Sequence, residues 1–270
     1  MPIALISLCL IVSANYSIND LLDAEYDGFH PIKSTRPGPL GLLDSRVVIL
    51  QYSLLGAAGI GLAATTNLAV VLSVLALFIM SVLYNVPPIR IKDYAYFDVL
   101  AESVNNPLRF LVGWFAVAPQ FLPPSSVLLA YWMGGAFLMG TKRYSEFRRI
   151  DDARTAASYR RSFAQYSERS LLLSAFFYAL CSAFFGAIFL IKYKIEFVLT
   201  FPLFAALFTW YLFIGLKSDS AAQAPEKLYR EPKFILFASL VFIAAALMFY
   251  VDIPLLHVLM GTNLLRMPLF

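Results

Sequence analysis

Apolar residues recur along the chain in runs long enough to cross a membrane as helices, and polar segments separate them. A membrane-spanning helix needs about 20 mostly apolar residues. Eight runs approach that length, at residues 1–18, 46–63, 66–85, 96–118, 125–141, 170–191, 195–215 and 234–251. The pattern therefore predicts an all-α membrane protein of about eight transmembrane helices, folded as a single domain over residues 1–270.

The composition excludes the other common classes of protein. Hydrophobic residues make up 60% of the 270 residues and charged residues 14%, with a mean hydropathy of +0.72. Soluble domains are about 45–50% apolar and about 25% charged, whereas disordered chains combine low hydrophobicity with high charge. Two cysteines are too few for a disulfide-stapled module. An ordinary soluble enzyme and a small secreted scaffold are both excluded.

The basic residues are concentrated on one side of the predicted helices. Seventeen of the 21 lysines and arginines lie in or beside four long polar segments, at residues 19–45, 86–95, 142–169 and 216–233. The positive-inside rule places such segments in the cytoplasm, and the lack of a transit peptide favours a prokaryotic plasma membrane. Membrane topology accounts for the positions of these cations, so the net charge of +4 does not indicate binding to nucleic acid. The expected partner is the lipid bilayer.

A cluster of carboxylates follows the first apolar run. Asp20, Asp23 and Asp27 are spaced i, i+3 and i+7, which at about 100° per residue places them within about 60° of one another on one helix face. Carboxylates this close repel each other unless a cation lies between them, and oxygen ligands suit Mg²⁺, which typically joins carboxylates to substrate phosphates. We expect these three residues to bind Mg²⁺ and to be catalytic. The alternative is a solvated acidic helix end.

A basic loop comes next, and its prolines and glycine break the helix. Lys33 and Arg36 place two cations just beyond the acidic face. A metal together with two cations is a suitable grip for an anionic phosphate leaving group. These residues are therefore predicted to bind substrate, although a loop that only sets topology would show the same charges.

A polar stripe runs along the predicted helix at residues 96–118. Asp98, Glu102, Asn105 and Arg109 are spaced i, i+4, i+7 and i+11, so they project within about 60° of one another. Charges inside a membrane span are costly and mark a functional site or a buried pair. We expect a cavity wall in which Asp98 is catalytic and the other three bind substrate. Structural pairing between helices is the alternative.

The largest polar segment begins with a mixed-charge run. Lys142 and Arg143 are candidate substrate-binding residues, and Glu146 is a candidate catalytic residue on the same predicted face as Lys142. The alternative is a solvated face beside anionic lipid headgroups.

Two stretches resemble signatures of the UbiA-type intramembrane prenyltransferases, over most of the chain from about residue 5 to at least 230. The first stretch is Asn19-Asp20-x-x-Asp23-x-x-x-Asp27 followed by His30-Pro31-x-Lys33-x-x-Arg36-Pro37. The second comprises Tyr84, Lys92, Asp98, Arg109 and Gly113. The resemblance implies a helical bundle around a central cavity, with Mg²⁺ held between the aspartates and the phosphates of a polyisoprenoid substrate. Phosphate contacts would come from Lys33, Arg36 and Lys92, and further substrate contacts from Asn19 and Tyr84.

Two departures from this family are expected to matter. Its members carry one more helix before the first motif, so the chain resembles a member whose first helix is absent through truncation, misassignment or loss. Typical members also carry a second aspartate-rich motif where this chain has Lys142-Arg143-x-x-Glu146. That pattern, together with Tyr159-Arg160-x-x-Phe163-x-x-Tyr166 and Pro225-Glu226, is more similar to the branch of decaprenyl-phosphate phosphoribosyltransferases.

The sequence therefore predicts a Mg²⁺-dependent membrane transferase acting on a polyisoprenoid phosphate or diphosphate. Transfer of the prenyl group to a lipid-soluble acceptor is the first hypothesis. Phosphoribosyl transfer from phosphoribosyl diphosphate to a polyprenyl phosphate is the second. A transporter with charges along its path, or a lipid-binding protein without catalysis, is the hypothesis from a different class.

Overall fold

The computed structural model describes residues 1–30, 32–150, 152–223 and 225–260; the side chains of Ala153, Pro225 and Glu226 lie outside the description, as does Pro31 of the basic loop. Twelve α-helices lie in the described residues: α1 (Pro2–Leu22), α2 (Ala24–Asp27), α3 (Ser45–Ala64), α4 (Leu68–Asn85), α5 (Phe97–Ser103), α6 (Asn105–Val117), α7 (Ser125–Arg149), α8 (Ala153–Tyr159), α9 (Glu168–Tyr193), α10 (Phe201–Gly215), α11 (Pro232–Met248) and α12 (Pro254–Leu259). Short 3₁₀ helices connect several of them, at Lys33–Thr35, Ile91–Asp93, Arg161–Gln165, Ile195–Thr200, Ala221–Gln223 and Pro225–Arg230.

The helices confirm the predicted all-α membrane class. In the described parts of the chain, five segments are long and apolar enough to cross a bilayer: Pro2–Leu22, Ser45–Ala64, Leu68–Asn85, Glu168–Tyr193 and Ile195–Gly215. A sixth apolar helix, α11, has 17 residues. Each of the eight predicted runs falls on helical structure, because a backbone in lipid must satisfy its own hydrogen bonds.

The predicted span at 96–118 is two helices rather than one. Helix α5 ends at Ser103 and α6 begins at Asn105, with Val104 between them. Pro107 has no backbone N–H, so the carbonyl of Ser103 loses the hydrogen bond that a continuous helix would make there. The polar stripe is consequently divided between two helices.

Helix α7 continues well beyond its predicted end at residue 141. The prediction of a loop from residue 142 onward is wrong, because the helix runs to Arg149. Its last two turns carry charged side chains, which lower the hydropathy without breaking the helix. Lys142, Arg143, Glu146 and Arg149 line the cavity described below, so a polar sequence at this point does not mark the end of the helix.

The bundle packs in two groups of helices. Helix α1 packs on α3, α4 and α6, around a core that includes Ile11, Val74 and Val112. The hydroxyl of Ser7 donates to the carbonyl of Gly59 at 2.7 Å, and a Cβ on Gly59 would lie 2.9 Å from Ile11. Glycine at position 59 therefore permits the close approach of α3 to α1.

The second group is built on α7. Helix α7 packs along α9, and the core there includes Phe137, Ala175 and Ile214. The polar ends of α1, α4 and α7 meet beside this core and, together with α5, α6 and the segment that follows α10, enclose a cavity.

Candidate active site

The cavity has a volume of about 520 Å³ and gathers most of the predicted site. Thirteen of the fifteen predicted residues line it: Asn19, Asp20, Asp23, Lys33, Arg36, Tyr84, Lys92, Glu102, Asn105, Arg109, Lys142, Arg143 and Glu146. The remaining two, Asp27 and Asp98, are buried beside it. Side chains far apart in sequence thus converge on one concave polar space, as expected of a binding site.

The three N-terminal aspartates lie on two consecutive helices, so the single helix predicted for them is interrupted at Asp23. Helix α1 ends at Leu22, Asp23 caps it, and Asp27 belongs to the separate four-residue helix α2. The side chain of Asp20 is 49% exposed, whereas that of Asp27 is 7% exposed. Asp20 and Asp23 line the open cavity, whereas Asp27 is buried beside it.

Two cations from the loop after α4 hold Asp23. The Arg90 guanidinium and the Lys92 ammonium lie 2.8 and 2.7 Å from the same carboxylate oxygen. Lys92 also donates to the side-chain oxygens of Asn19 at 3.1 Å and Asn85 at 2.8 Å. Arg90 adopts a φ of 35°, a left-handed conformation that is unfavourable for a side-chain-bearing residue and is found mainly at functional sites.

Burial and charge oppose each other in the Asp23–Lys92 pair. Burial acts to raise the pKa of Asp23, but Lys92 outweighs it and the pKa lies below its ordinary value. Burial lowers the pKa of Lys92 to about 8, although Asp23 opposes that shift. Asp23 is therefore ionised near neutral pH, as a metal ligand must be.

The basic loop folds back onto the carboxylates. One nitrogen of Arg36 lies 3.6 Å from oxygens of both Asp20 and Asp27. Lys33 lies 3.5 Å from Asp27 and donates to the Tyr159 hydroxyl at 2.7 Å. These contacts place two cations between the carboxylates and the open cavity, where a phosphate would meet them.

The carboxylate donors suit a hard cation, although their oxygens are spread out. Asp20 and Asp23 line the cavity, and the Asn19 side-chain oxygen lies beside them. Within the described residues, the only group of three or more ligand atoms within 4.8 Å is Glu196, Asp252 and His257, so the three aspartates form no such group. Mg²⁺ takes one or two carboxylates together with waters and substrate phosphates, and Asp20 and Asp23 fit that requirement.

The opposite wall of the cavity comes from α7. Arg143 is buried and donates to Glu146 at 2.9 Å and to the Tyr84 hydroxyl at 3.4 Å. Lys142, its neighbour, also lines the cavity. Glu146 is thus ion-paired, and this wall presents mainly positive charge.

Asp98 supports this wall from behind. It is completely buried, and it accepts hydrogen bonds from the hydroxyls of Tyr166 at 2.8 Å and Ser162 at 3.1 Å. Arg143 lies 3.4 Å from it. The geometry is that of a residue that positions Arg143, so the catalytic role predicted for Asp98 has no support from its placement.

Sequence reasoning missed several residues of the cavity wall. Asn15 and Ser81 line it one helical turn before Asn19 and Asn85, and a search for polar side chains four residues apart would have found them. Arg160, at the end of α8, also lines it, and its Nε has no hydrogen-bond partner among the residues that the structure describes. Burial acts to lower the pKa of Arg160, but the surrounding Tyr84, Tyr159 and carboxylates raise it well above its ordinary value, so this cation is permanent.

The sequence and the fold both match known proteins. The model of the UbiA prenyltransferase family matches residues 1–239. A decaprenyl-phosphate phosphoribosyltransferase of Mycolicibacterium smegmatis is 29% identical over 173 residues, which are 63% of this chain and 52% of that protein. A protoheme IX farnesyltransferase of Listeria welshimeri is 30% identical over 118 residues, which are 43% of this chain and 38% of that protein. The chain thus matches about half the length of these relatives or less.

Solved structures show the same architecture. A UbiA homolog from Archaeoglobus fulgidus bound to DMAPP and Mg²⁺ has a TM-score of 0.69 and 21% sequence identity, covering 93% of this chain and 87% of that one. The same homolog bound to GPP and Mg²⁺ also gives 0.69, at 20% identity, covering 92% of this chain and 87% of that one. At 20–21% identity, the similarity to these structures shows a shared fold. The match to the family model shows that the sequences are related as well. The chain belongs to the UbiA prenyltransferase family.

Proposed function

We propose that this protein is a membrane-embedded, Mg²⁺-dependent transferase that acts on a polyisoprenoid phosphate or diphosphate. The observation that carries the proposal is the cavity in which Asp20 and Asp23 face Lys33, Arg36 and Lys92. Carboxylates for a metal and cations for phosphate oxygens, side by side beneath a bilayer, suit an amphiphilic phosphate. The family match and the structural neighbours bound to DMAPP or GPP with Mg²⁺ support it.

The residues of this chain would divide the chemistry between them. Asp20 and Asp23 would hold Mg²⁺, which neutralises the charge that builds on a departing diphosphate. Arg36, Lys33 and Lys92 bind the phosphate oxygens and fix the orientation of the leaving group. Because Lys92 is anchored by Asn19 and Asn85, its ammonium is already positioned before substrate arrives.

Prenyl transfer to a lipid-soluble acceptor is the main form of this proposal. The bond from the allylic carbon to the diphosphate oxygen breaks, and the diphosphate leaves with the electron pair. The acceptor then forms the new bond to that carbon and gives up a proton. The curated farnesyltransferase relative and the DMAPP- and GPP-bound neighbours favour this form.

Phosphoribosyl transfer to a polyprenyl phosphate is the second candidate, and the charge of the cavity favours it. Among the residues that the structure describes, ten lysines and arginines line the cavity, against six aspartates and glutamates. Arg143 and Lys142 on α7 and Arg160 on α8 add a second group of cations opposite the aspartates. Two phosphorylated substrates need more positive charge than one, and the longer match to the decaprenyl-phosphate relative agrees with this.

One experiment tests the proposal and separates the two forms. Membranes containing the protein are incubated with Mg²⁺ in two separate assays. One contains labelled geranyl diphosphate, and the other contains labelled phosphoribosyl diphosphate together with polyprenyl phosphate. A new labelled lipid is expected in one of the two assays, and that assay identifies the reaction. If neither gives product while proteoliposomes show ion-driven substrate flux, a transporter replaces the transferase, and binding of lipid with neither activity would indicate an inactive lipid-binding protein.

The same arrangement supports a proposal for the location of the protein. The apolar helices support an integral membrane protein, and the cations at the cavity end support a cytoplasmic orientation of the active-site loops. We expect a prokaryotic plasma membrane. Single cysteines introduced as Lys227→Cys and Thr66→Cys would lie at opposite ends of the bundle. Labelling each of them in spheroplasts would test the orientation.

A further inference from the structure

The inner end of the cavity is polar, although it lies toward the membrane. Asn15 lies one turn before Asn19 in α1, and Ser81 lies one turn before Asn85 in α4. Asn105 and Arg109 line the cavity from α6. We name these four residues the inner polar subsite, and none of them contacts the predicted metal ligands in the hydrogen bonds and ion pairs found among the described residues.

Each of these side chains has a polar atom without a protein partner. Asn15 Oδ1, Ser81 Oγ, Asn105 Oδ1 and Arg109 Nε are all buried and make no hydrogen bond within the part of the chain that the structure describes. Ser81 is 3% exposed and Asn105 is 9% exposed. Leaving such an atom unsatisfied costs about 1–3 kcal/mol, so four of them at one end of one cavity indicate a ligand that satisfies them.

The chemistry of the subsite indicates what that ligand carries. An isoprenoid chain would bury the four polar groups against hydrocarbon and satisfy none of them. A hydroxylated ligand pairs with the two amides and the serine, because each of these groups can both donate and accept. Arg109 adds a fixed cation, which binds a phosphate or carboxylate.

We propose that the inner polar subsite binds the hydroxylated, phosphate-bearing part of a sugar phosphate substrate. The inference rests on the phosphoribosyl-transfer form of the proposed function, and it assigns the water-soluble substrate to the inner end of the cavity. The isoprenoid chain then occupies another part of the protein surface. An aromatic carboxylate acceptor is the competing ligand, since it can pair with Arg109 but offers little to the three neutral side chains.

The test measures binding of three probes to the purified full-length protein in nanodiscs with Mg²⁺. The probes are phosphoribosyl diphosphate, geranyl diphosphate and 4-hydroxybenzoate, and the variants are Ser81→Ala and Asn15→Ala. Each variant is expected to weaken binding of phosphoribosyl diphosphate about fivefold to tenfold, the loss of one hydrogen bond, and to leave geranyl diphosphate binding unchanged. Ser73→Ala is the matched control, because Ser73 is an equally buried serine of α4 whose hydroxyl already donates to Ala69 at 2.8 Å.

The outcomes separate this inference from the proposed function. Unchanged affinity for phosphoribosyl diphosphate in both variants overturns the subsite, as does a loss confined to 4-hydroxybenzoate. Wild-type protein that binds geranyl diphosphate but not phosphoribosyl diphosphate also overturns the subsite while leaving the transferase proposal in place. Wild-type protein that binds neither diphosphate overturns both.

Discussion

The two walls of the cavity differ in how their charges are balanced. On the α1 side, Asp23 and Asp27 are each held by two cations at 2.7–3.6 Å. On the α7 and α8 side, Arg160 has an Nε with no hydrogen-bond partner in the described ranges. A carboxylate already paired with lysine and arginine would have to exchange partners to hold a metal, whereas a guanidinium nitrogen without a partner could bind an anion directly. The first wall therefore suits the metal diphosphate, and the second suits another anionic group.

Loss of Asp23 is expected to have the largest effect on the first wall. Asp23→Asn removes a proposed metal ligand and the shared partner of Arg90 and Lys92, so turnover should fall about a thousandfold or more, the several kcal/mol that a catalytic metal supplies. Product formation is measured in membranes, and gel filtration verifies the fold. The matched control is Asp93→Asn, since Asp93 also binds Arg90, at 3.2 Å, but does not line the main cavity. Equal activity of the two variants would contradict the distinction.

Removal of divalent cations should produce a comparable loss without any mutation. With EDTA, the phosphate charges lose their main neutralising partner, so activity should fall to background and return when Mg²⁺ is added in excess. Turnover is followed through one cycle of chelation and repletion. Activity that persists in EDTA would contradict a metal site on the first wall. Recovery with Ca²⁺ but not with Mg²⁺ would show that the metal is Ca²⁺.

Substitution at Arg160 tests the second wall. Arg160→Gln removes a charge-assisted hydrogen bond worth about 1.5–3 kcal/mol, so kcat/KM for the second anionic substrate should fall about tenfold to a hundredfold. The fall should appear mainly in KM. Arg161→Gln provides the control, because the Arg161 side chain is 63% exposed and pairs with Asp93 instead. An unchanged KM in Arg160→Gln would mean that the second wall does not bind substrate.

The Asp98→Asn variant tests whether Asp98, which lies behind the second wall, only stabilises the folded protein. Asp98→Asn weakens a buried contact to Arg143, and removing one partner of a buried pair is destabilising by several kcal/mol. We expect a lower Tm and only a small change in kcat/KM for the protein that remains folded. A normal Tm with a large loss of kcat would instead give Asp98 the catalytic role that the sequence predicted.

Hydropathy predicted the apolar helices well because the membrane imposes one simple rule on them. The predicted run at 66–85 corresponds to Leu68–Asn85, and the run at 170–191 lies within Glu168–Tyr193. The same rule failed for α7, whose charged last turns continue as a helix to Arg149. Hydropathy measures the preference of a segment for lipid, so it does not detect a helix whose polar residues face an internal cavity.

For the candidate site, the sequence predicted most of the residues that line the cavity, but it did not predict how they are placed and paired. Asp20, Asp23, the two cations of the basic loop and the stripe of Glu102, Asn105 and Arg109 do line one cavity. Asp98 follows the same spacing as the stripe and yet is buried behind the wall, where Tyr166, Ser162 and Arg143 contact it. Asn15 and Ser81 carried no motif, and only their position in the bundle shows that they line the cavity.

By itself, the sequence determined a helical membrane protein with carboxylates and cations spaced for phosphate chemistry, since apolar length and local spacing are properties of neighbouring residues. Only the tertiary structure decided which charges are paired. Arg90 meets Asp23 across 67 positions, and Ser162 meets Asp98 across 64. Such contacts depend on how helices approach and rotate about one another, and their strength depends on burial from water. Both are outcomes of packing, which no local pattern in the sequence specifies.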